Sequence, residues 1–348
     1  MIEEYKQPDP DKTYLITGSA GFIGFFLVRK LLEKGCRVIG IDNMNDYYDV
    51  SLKESRHKLL TGYKRYSFAK ADIADKPTVM ALFQEHKPNI VVNLAAQAGV
   101  RYSIENPNAY IKSNIMGFYN ILEGCRHNPV EHLVYASSSS VYGANTKVPF
   151  SIEDKADHPV SLYAATKKSN ELMAYTYSYL YGIPSTGLRF FTVYGPMGRP
   201  DMAYFHFTRK ILNNEPVQVF NYGNSYRDFT YIDDVVEAVT RVLCNPPAKK
   251  TNKEGFSEGV LHILYNIGNS RPEQVTNFIA ALEKALTKAV GREIMARKEY
   301  LPLQPGDVIA TYSDSTSLQR DFNFKPSTDI EEGLQRFAEW YVDYYQVK

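Results

Sequence analysis

The stretch Thr17-Gly18-Ser19-Ala20-Gly21-Phe22-Ile23-Gly24 constrains the fold of this 348-residue chain more tightly than any other. It follows an apolar run, Tyr14-Leu15-Ile16-Thr17, and opens a helix-periodic run from Phe22 to Lys34. A strand that turns through closely spaced glycines into a helix is the first half of a strand–helix–strand crossover. Gly18 permits the tight turn and Gly24 a close approach of the helix, both of which a Cβ would obstruct. The pattern then repeats. Arg37-Val38-Ile39-Gly40-Ile41, Ile90-Val91-Val92-Asn93-Leu94 and Leu133-Val134-Tyr135-Ala136 read as buried strands, with helical stretches such as Ala109 to Arg126 between them. Ser185 to Phe191 adds a further strand, and Leu261 to Ile267 is a candidate for another. Apolar strands alternating with helices predict an α/β fold, a doubly wound parallel sheet covered on both faces.

After about Val193 the texture changes to shorter elements and aromatic-rich loops, which predicts a smaller α/β lobe assembled from separate segments. The expected division gives residues 1–193, with a returning segment at about 230–268, to the sheet domain and 194–229 with 269–348 to the second lobe. Cys244 to Glu258 reads as an exposed loop and Glu331 to Tyr345 as a closing amphipathic helix. Forty basic side chains against 39 acidic ones leave a net charge of +1, too little field to hold nucleic acid or an anionic membrane surface. An anionic ligand must then be held by a few placed groups. Cys36, Cys125 and Cys244 are odd in number and unlike a metal site in spacing. Reduced thiols in a cytoplasmic compartment are therefore expected, with neither a disulfide framework nor a metal. Met1 to Asp11 is polar and reads as neither signal peptide nor anchor, and no apolar run approaches the ~18 residues of a spanning helix. A soluble protein is expected.

The glycine turn gains chemical meaning from the end of the next strand. A helix N-terminus offers unpaired N–H groups and the positive end of the helix dipole. The amides of Phe22, Ile23 and Gly24 therefore suit a pyrophosphate, which Gly21 lets approach the backbone. The second strand ends at Asp42, placed to accept hydrogen bonds from a ribose diol. An acid there repels a ribose phosphate, and the adjacent Asn43 supplies no cation to hold one. Strand, glycines and acid in register predict a Rossmann domain that binds NAD rather than NADP.

Leu133 to Ser137 runs up a strand into Ser138-Ser139-Ser140, at the carboxyl edge where doubly wound sheets bind ligands. Twenty-five residues after Ser138 comes Tyr163-Ala164-Ala165-Thr166-Lys167, whose spacing puts Lys167 beside Tyr163 on one helix face. An ammonium there favours phenolate, lowering a phenol pKa of about 10 toward neutrality, which suits Tyr163 to act as general base on a substrate hydroxyl. Ser138 would hydrogen-bond the same hydroxyl. Among 27 tyrosines one Tyr-x-x-x-Lys means little, and a surface pair on an ordinary helix is the plain alternative. The glycine turn and the serine cluster give it weight.

These stretches, with Asn93-Leu94-Ala95-Ala96, Ser137-Ser138-Ser139-Ser140-Val141-Tyr142-Gly143 and Tyr226-Arg227-Asp228-Phe229, resemble the signatures of the extended short-chain dehydrogenase/reductase family over nearly the whole chain. The resemblance implies Ser138, Tyr163 and Lys167 as the catalytic set. It implies further NAD contacts from Asp72, Ile73, Leu94, Ala95, Ala96, Gln97 and Asn114, and a homodimer formed through Ala109–Arg126 and Ser161–Tyr181. Within the family, the stretches Ala95 to Ser103, Phe190 to Pro196 and Gly198 to Met202 resemble the UDP-glucuronate 4-epimerases. UDP-glucose epimerases usually carry asparagine where Thr192 stands.

On this likeness Tyr163 takes the proton of the 4-hydroxyl of a UDP-sugar, and the transient 4-keto sugar turns over before its hydroxyl is restored inverted. Arg199 is expected to hold the carboxylate of a uronate, with Thr192, Ser138, Ser139 and Ser140 as neutral donors, unless a salt bridge to Asp201 occupies it. The likeness points to Arg227 for the diphosphate and to Gln218 and Asp307 near uridine. Gln304 stands where relatives often carry arginine. Arg227 followed by Asp228 reads equally as a structural pair, and Arg101 equally as substrate contact or loop brace. Related decarboxylases and dehydratases carry an acid beside the catalytic Ser/Thr, where this chain has Ser139 and Ser140, so epimerisation is favoured. The alternatives are a UDP-glucose 4-epimerase and a non-catalytic NAD-binding scaffold.

Overall fold

The computed structural model describes residues 6–251, 257–303 and 310–347. The chain forms two compact units: Met1–Asn145, Ile152–Phe190 and Val236–Tyr265 in one, Thr146–Ser151, Phe191–Val235 and Asn266–Lys348 in the other.

In the first unit, strands β1 (Thr13–Thr17), β2 (Arg37–Asp42), β3 (Tyr66–Lys70), β4 (Ile90–Asn93), β5 (His132–Ser138) and β6 (Ser185–Phe190) lie in the order β6-β5-β4-β1-β2-β3. Each neighbouring pair is parallel. The strand His262–Ile267 extends the sheet beside β6. Helices α1 (Phe22–Glu33), α2 (Val50–Leu60), α3 (Lys76–His86), α4 (Tyr102–Glu105), α5 (Pro107–Tyr110), α6 (Phe118–His127) and α7 (Leu162–Tyr181) make the connections. The doubly wound parallel sheet is the one expected. Strand order reverses between β1 and β4, the switch point at whose carboxyl edge doubly wound sheets bind ligands.

Apolar burial on both faces explains why the central strands read as continuous hydrophobic runs. Leu15, Val91 and Leu133 share one cluster with Phe83 of α3 and with Phe118 and Ile121 of α6, all essentially inaccessible. Each such side chain contributes about 1.5–3 kcal/mol. β3 was not legible because it is an edge strand, with Tyr-Ser-Phe-Ala-Lys half-exposed throughout. The expected helix Ala109–Arg126 is interrupted: a π-helical turn over Ile111–Gly117 separates α5 from α6. Within the expected loop Cys244–Glu258, Lys250–Thr251 pairs antiparallel with Ser257–Glu258.

The second unit is built around β7 (Thr192–Tyr194), β8 (Val217–Val219) and β9 (Tyr226–Tyr231). β9 is flanked by β7, Pro272–Gln274 and Ala310–Thr311. An aromatic cluster closes this unit, with Phe205 5.9 Å and Tyr204 4.9 Å from the ring of Phe337 on the helix Ile330–Tyr344. No helix of the described residues is long and apolar enough to cross a membrane.

His132, at the head of β5, shows how burial sets a pH response. It is fully buried, with Nδ1 3.1 Å from the Leu243 carbonyl and Nε2 2.8 Å from Thr186 Oγ1. The carbonyl can only accept, so Nδ1 carries the proton and Nε2 accepts from the hydroxyl. Burial pushes its pKa down to about 4, against about 6.5 in an unfolded chain. The unfolded chain binds the proton more readily, so stability is full above pH ~6.5 and is lost as pH falls toward 4. Urea unfolding at pH 7 and pH 5 should show the parent losing about 2 kcal/mol more than a His132→Gln variant. Equal losses would mean the imidazole is not held neutral.

Candidate active site

β1 delivers the chain to Gly18, which turns at a φ of 71°. The Gly18 N–H donates to the Ile41 carbonyl at 2.7 Å and the Gly21 N–H to the Gly18 carbonyl at 2.9 Å. A Cβ on Gly24 would lie 2.0 Å from the Gly18 carbonyl oxygen, and one on Gly18 would lie 2.8 Å from the Ala95 nitrogen. No side chain caps α1. The amides of Phe22, Ile23 and Gly24 are therefore among the orphan donors of a helix N-terminus.

Asp42 closes β2 and is buried, its Oδ2 accepting from the Ala20 N–H at 3.2 Å and its Oδ1 from the Met44 N–H at 2.9 Å. Asn43 Oδ1 accepts from the Asn45 N–H at 3.1 Å. The fold brings cations near Asp42 that its neighbour Asn43 does not supply. α2 brings buried Lys53 to 3.9 Å from Asp42 Oδ1, and fully buried Arg56 donates to the Ala20 carbonyl at 3.0 Å and to Tyr48 Oη at 2.9 Å. Asn43 is only the next residue in sequence; the cations arrive through the fold of α2.

The loop after β4 lies against the glycine turn. Thr17 Oγ1 donates to Asn93 Oδ1 at 2.7 Å and accepts from the Ala95 N–H at 3.1 Å, which fixes Leu94 and Ala95 and leads through Ala96 to Gln97. Asn114 sits in the π-helical turn and is buried. Its Oδ1 accepts from the Gln97 N–H at 2.8 Å, and its Nδ2 donates to the Gln97 carbonyl and to Thr166 Oγ1, both at 3.0 Å. The Asn114 side chain is thus engaged within the protein as a tether between this loop and α7. After β3, Asp72 is held by the Ala74 N–H at 3.0 Å and by Lys112 Nζ at 2.9 Å, while the Ile73 carbonyl accepts from Asn120 Nδ2 at 2.9 Å. Burial opposes the charge on Asp72, but these donors hold its pKa below the ordinary carboxylate value.

β5 ends at Ser138, whose Oγ accepts from the Ser140 N–H at 3.2 Å and caps the 3₁₀ turn Ser139–Tyr142. α7 starts from Ser161, whose Oγ accepts from the Ala164 N–H at 3.1 Å. Tyr163 lies in the first turn of α7, its ring centroid 6.0 Å from that of Tyr110. One turn later Lys167 is buried and donates from Nζ to the Ala136 carbonyl at 2.9 Å. Burial pushes its pKa down to about 8. Lys167 is therefore fastened to the strand that ends in Ser138, with Tyr163 four residues before it on the same helix face. Arg101, exposed, stands at the head of α4.

The remaining candidates lie in the second unit. Thr192 opens β7 opposite Phe229, and Gln218 is exposed in β8. Arg199 is paired with Asp201, Nε to Oδ1 at 3.0 Å and Nη2 to Oδ2, so the guanidinium fork faces a carboxylate of its own chain. Arg227 and Asp228 are consecutive in β9 and point to opposite faces. Arg227 Nη1 donates to the Tyr226 carbonyl at 2.9 Å. Asp228 accepts from the N–H groups of Asn269 at 2.8 Å, Ser270 at 3.1 Å and Ser313 at 3.0 Å, and from Ser313 Oγ at 2.7 Å. Gln304 and Asp307 lie outside the described residues.

Sequence reasoning missed Lys53, Arg56, Glu171 and Arg189. Arg189 had a signal, a charge inside the otherwise uncharged strand Ser185–Phe190, which demands a buried partner. Among the described residues no group of three or more His, Cys, Asp or Glu is placed to hold a metal.

A glycine cradle that no Cβ could enter, an open helix N-terminus and a buried acid at the end of the next strand fit a dinucleotide. Residues 14–268 match the model of the NAD dependent epimerase/dehydratase family, and the chain belongs to that family. Protein CapI of Staphylococcus aureus is 54% identical over 337 residues, covering 95% of this chain and 99% of that one. UDP-glucuronate 4-epimerase 2 of Arabidopsis thaliana is 48% identical over 337 residues, covering 95% of this chain and 76% of that one. Among solved structures, UDP-glucuronic acid 4-epimerase from Bacillus cereus in complex with UDP-glucuronic acid and NAD is similar with a TM-score of 0.82 at 31% identity, covering 96% of this chain and all of that one.

Asp228 generates a prediction for the second unit. Asp228→Ala would leave the buried N–H and hydroxyl of Ser313 and the half-buried N–H groups of Asn269 and Ser270 without this acceptor, each worth up to about 1–3 kcal/mol. Urea unfolding of this variant should show a loss of about 3 kcal/mol or more, and an unchanged midpoint would mean that water replaces the carboxylate.

Proposed function

We propose that this chain is an isomerase inverting carbon 4 of UDP-glucuronate, giving UDP-galacturonate, with NAD as its resident cofactor. The observation that carries the reading is Lys167, a buried ammonium bonded to the Ala136 carbonyl, one helical turn from Tyr163 and on the strand that ends at Ser138. Family membership and the names of the relatives support the substrate and the cofactor. Gly18, Gly21, the first amides of α1, Asp42 and the Leu94–Gln97 loop would hold NAD, which when bound supplies a hydride acceptor that returns its hydride to the other face of the sugar.

This chain's own residues manage the proton. Tyr163 Oη takes it from the 4-hydroxyl and gives it back after inversion, and Ser138 Oγ donates to the same oxygen. Lys167, with a pKa near 8, is largely cationic at neutral pH and favours the phenolate. The likeness to UDP-glucuronate 4-epimerases supports the hydroxyls of Ser138, Ser139 and Ser140 as neutral donors to the sugar. Within the second unit, Arg199 would take the sugar's carboxylate by releasing Asp201, with Thr192 as a neutral donor. A carboxylate so held keeps its bond to the ring out of line with the ketone, which opposes loss of carbon dioxide.

The decisive measurement is an NMR time course of the protein with NAD and either UDP-glucuronate or UDP-glucose. Conversion of the acid to UDP-galacturonate is expected, with Tyr163→Phe about 100- to 10,000-fold slower while still binding NAD. Turnover of UDP-glucose alone would support the UDP-glucose 4-epimerase reading and leave Arg199 structural. A pentose product from the parent would overturn the epimerase reading. Arg199→Ala should release more pentose than the parent, and an equal amount would remove its anchoring role.

We also infer a homodimer through α7 and the segment around the π-helical turn. Exposed apolar side chains support it: Leu172 and Tyr179 of α7 are 60% and 70% exposed and Met116 is 49% exposed, side chains that a partner subunit would cover. Sedimentation equilibrium should give about twice the chain mass of 39.6 kDa; a monomeric mass would rule the dimer out. Free Cys36 and Cys125, both buried, support a reducing, cytoplasmic setting.

A further inference from the structure

We propose that the buried Glu171–Arg189 ion pair is a positioning device for Tyr163, Lys167 and Ser138, fastening α7 to the two strands whose carboxyl ends carry the reaction. The inference rests on those three residues being the catalytic set. Glu171 follows Lys167 by one helical turn, so the two side chains leave α7 on one face. Arg189 of β6 stands directly across from Ser137 of β5 in the parallel register. Glu171 is gripped from both strands at once: Arg189 Nε donates to Oε1 at 2.8 Å and Nη2 to Oε2 at 2.9 Å, and Ser137 Oγ donates to Oε1 at 2.6 Å. Lys168 adds a contact to Oε2 at 3.4 Å. The Arg189 guanidinium also lies 4.8 Å from the centroid of Tyr142, in the turn that follows Ser138.

The carboxylate thus joins α7, β5 and β6, and through Arg189 the pair reaches the Ser139–Tyr142 turn. Ser137 lies between Ala136, whose carbonyl holds Lys167, and Ser138. A shift of α7 along the sheet would have to break the grip on Ser137 before moving Tyr163 away from Ser138. Both charges are 2% exposed, a poor way to gain stability, because well-packed apolar replacements of a buried pair are often neutral or better. Such a pair does give directional, bidentate geometry that apolar contacts lack. Burial opposes ionisation of Glu171, and the hydrogen bonds and charge of Arg189 overcome it, holding its pKa below the ordinary value.

The test uses the full chain with NAD, turning over UDP-glucuronate. Arg189→Lys keeps the charge but cannot grip both carboxylate oxygens, and the combined Ser137→Ala, Glu171→Met, Arg189→Leu variant replaces the cluster by apolar groups. Both should lose about 100-fold in kcat, the scale of an ångström of misplacement, while KM, NAD binding and the thermal midpoint stay near the parent's. A folded variant of either kind with parental kcat, or one in which only KM rises, overturns the inference. Should the triple variant not fold, Arg189→Lys alone decides. Tyr163→Phe separates the two levels. If it turns over normally, the catalytic reading itself fails; if it is inactive while Arg189→Lys keeps full kcat, only the positioning role fails.

Discussion

Main chain touches main chain at Gly18, and the carboxyl edge of the sheet is organised around that contact. A Cβ on Gly18 would collide with the Ala95 nitrogen, and a Cβ on Gly24 would collide with the Gly18 carbonyl oxygen. Such proximity packs the loops after β1 and β4 against one another, while the first amides of α1, from Phe22 to Gly24, take no side-chain cap. It also places Ala20 where its N–H meets Asp42 and its carbonyl meets Arg56. The turn is thereby held by a carboxylate on one side and a guanidinium on the other. Because α1 starts from this turn, its open N-terminus takes its direction from the same few contacts.

Beneath that edge the first unit treats its buried charges in two ways. Arg189 gives both oxygens of Glu171 a donor, the bidentate geometry in which a buried pair can hold its ionised form. Lys167 is different, with a single carbonyl at hydrogen-bonding distance and its pKa pushed down by burial. An ammonium held at that disadvantage responds strongly to any negative charge nearby, which is what a phenolate on Tyr163 would be. Glu171, the acid of the bidentate pair, sits one turn further along the same helix. Strain in the chemistry and rigidity in its support are thus separated by about 6 Å of helix rise.

Much of this was legible in the sequence, for identifiable reasons. Uninterrupted apolar strands such as Ile90-Val91-Val92 arise only where both faces of a sheet are covered, so the parallel sheet could be read directly. The one-face spacing of Tyr163 and Lys167 follows from helix geometry alone. The edge strand Tyr66–Lys70 had no such contrast, and the π-helical turn at Ile111–Gly117 keeps an apolar pattern that an α-helix also satisfies. The partners of the buried charges were out of reach because they are set by tertiary register: Arg189 meets Ser137 across strands 52 residues apart in sequence, and Lys53 reaches Asp42 only once α2 has folded back. Asn114 illustrates the same limit, since its partners Gln97 and Thr166 come from two separate elements.

Arg199 raises the question of how a chain with almost no net charge would choose an acidic sugar. Its fork is already matched to Asp201, with both side chains 26% exposed, and a pair that wet is worth at most about 1 kcal/mol. Exchange of Asp201 for a substrate carboxylate is then nearly balanced on its own: one bidentate pair is lost and one gained. Discrimination has to come from the difference between sugars. A neutral hydroxymethyl group cannot take the fork, so Asp201 would keep it. Any neutral donor within reach of the same group would favour the acid, since hydrogen bonds to a charged partner are roughly twice as strong as neutral ones. On this argument selectivity would rest on such neutral donors as well as on the cation, with Arg199 fixing where the carboxylate lies.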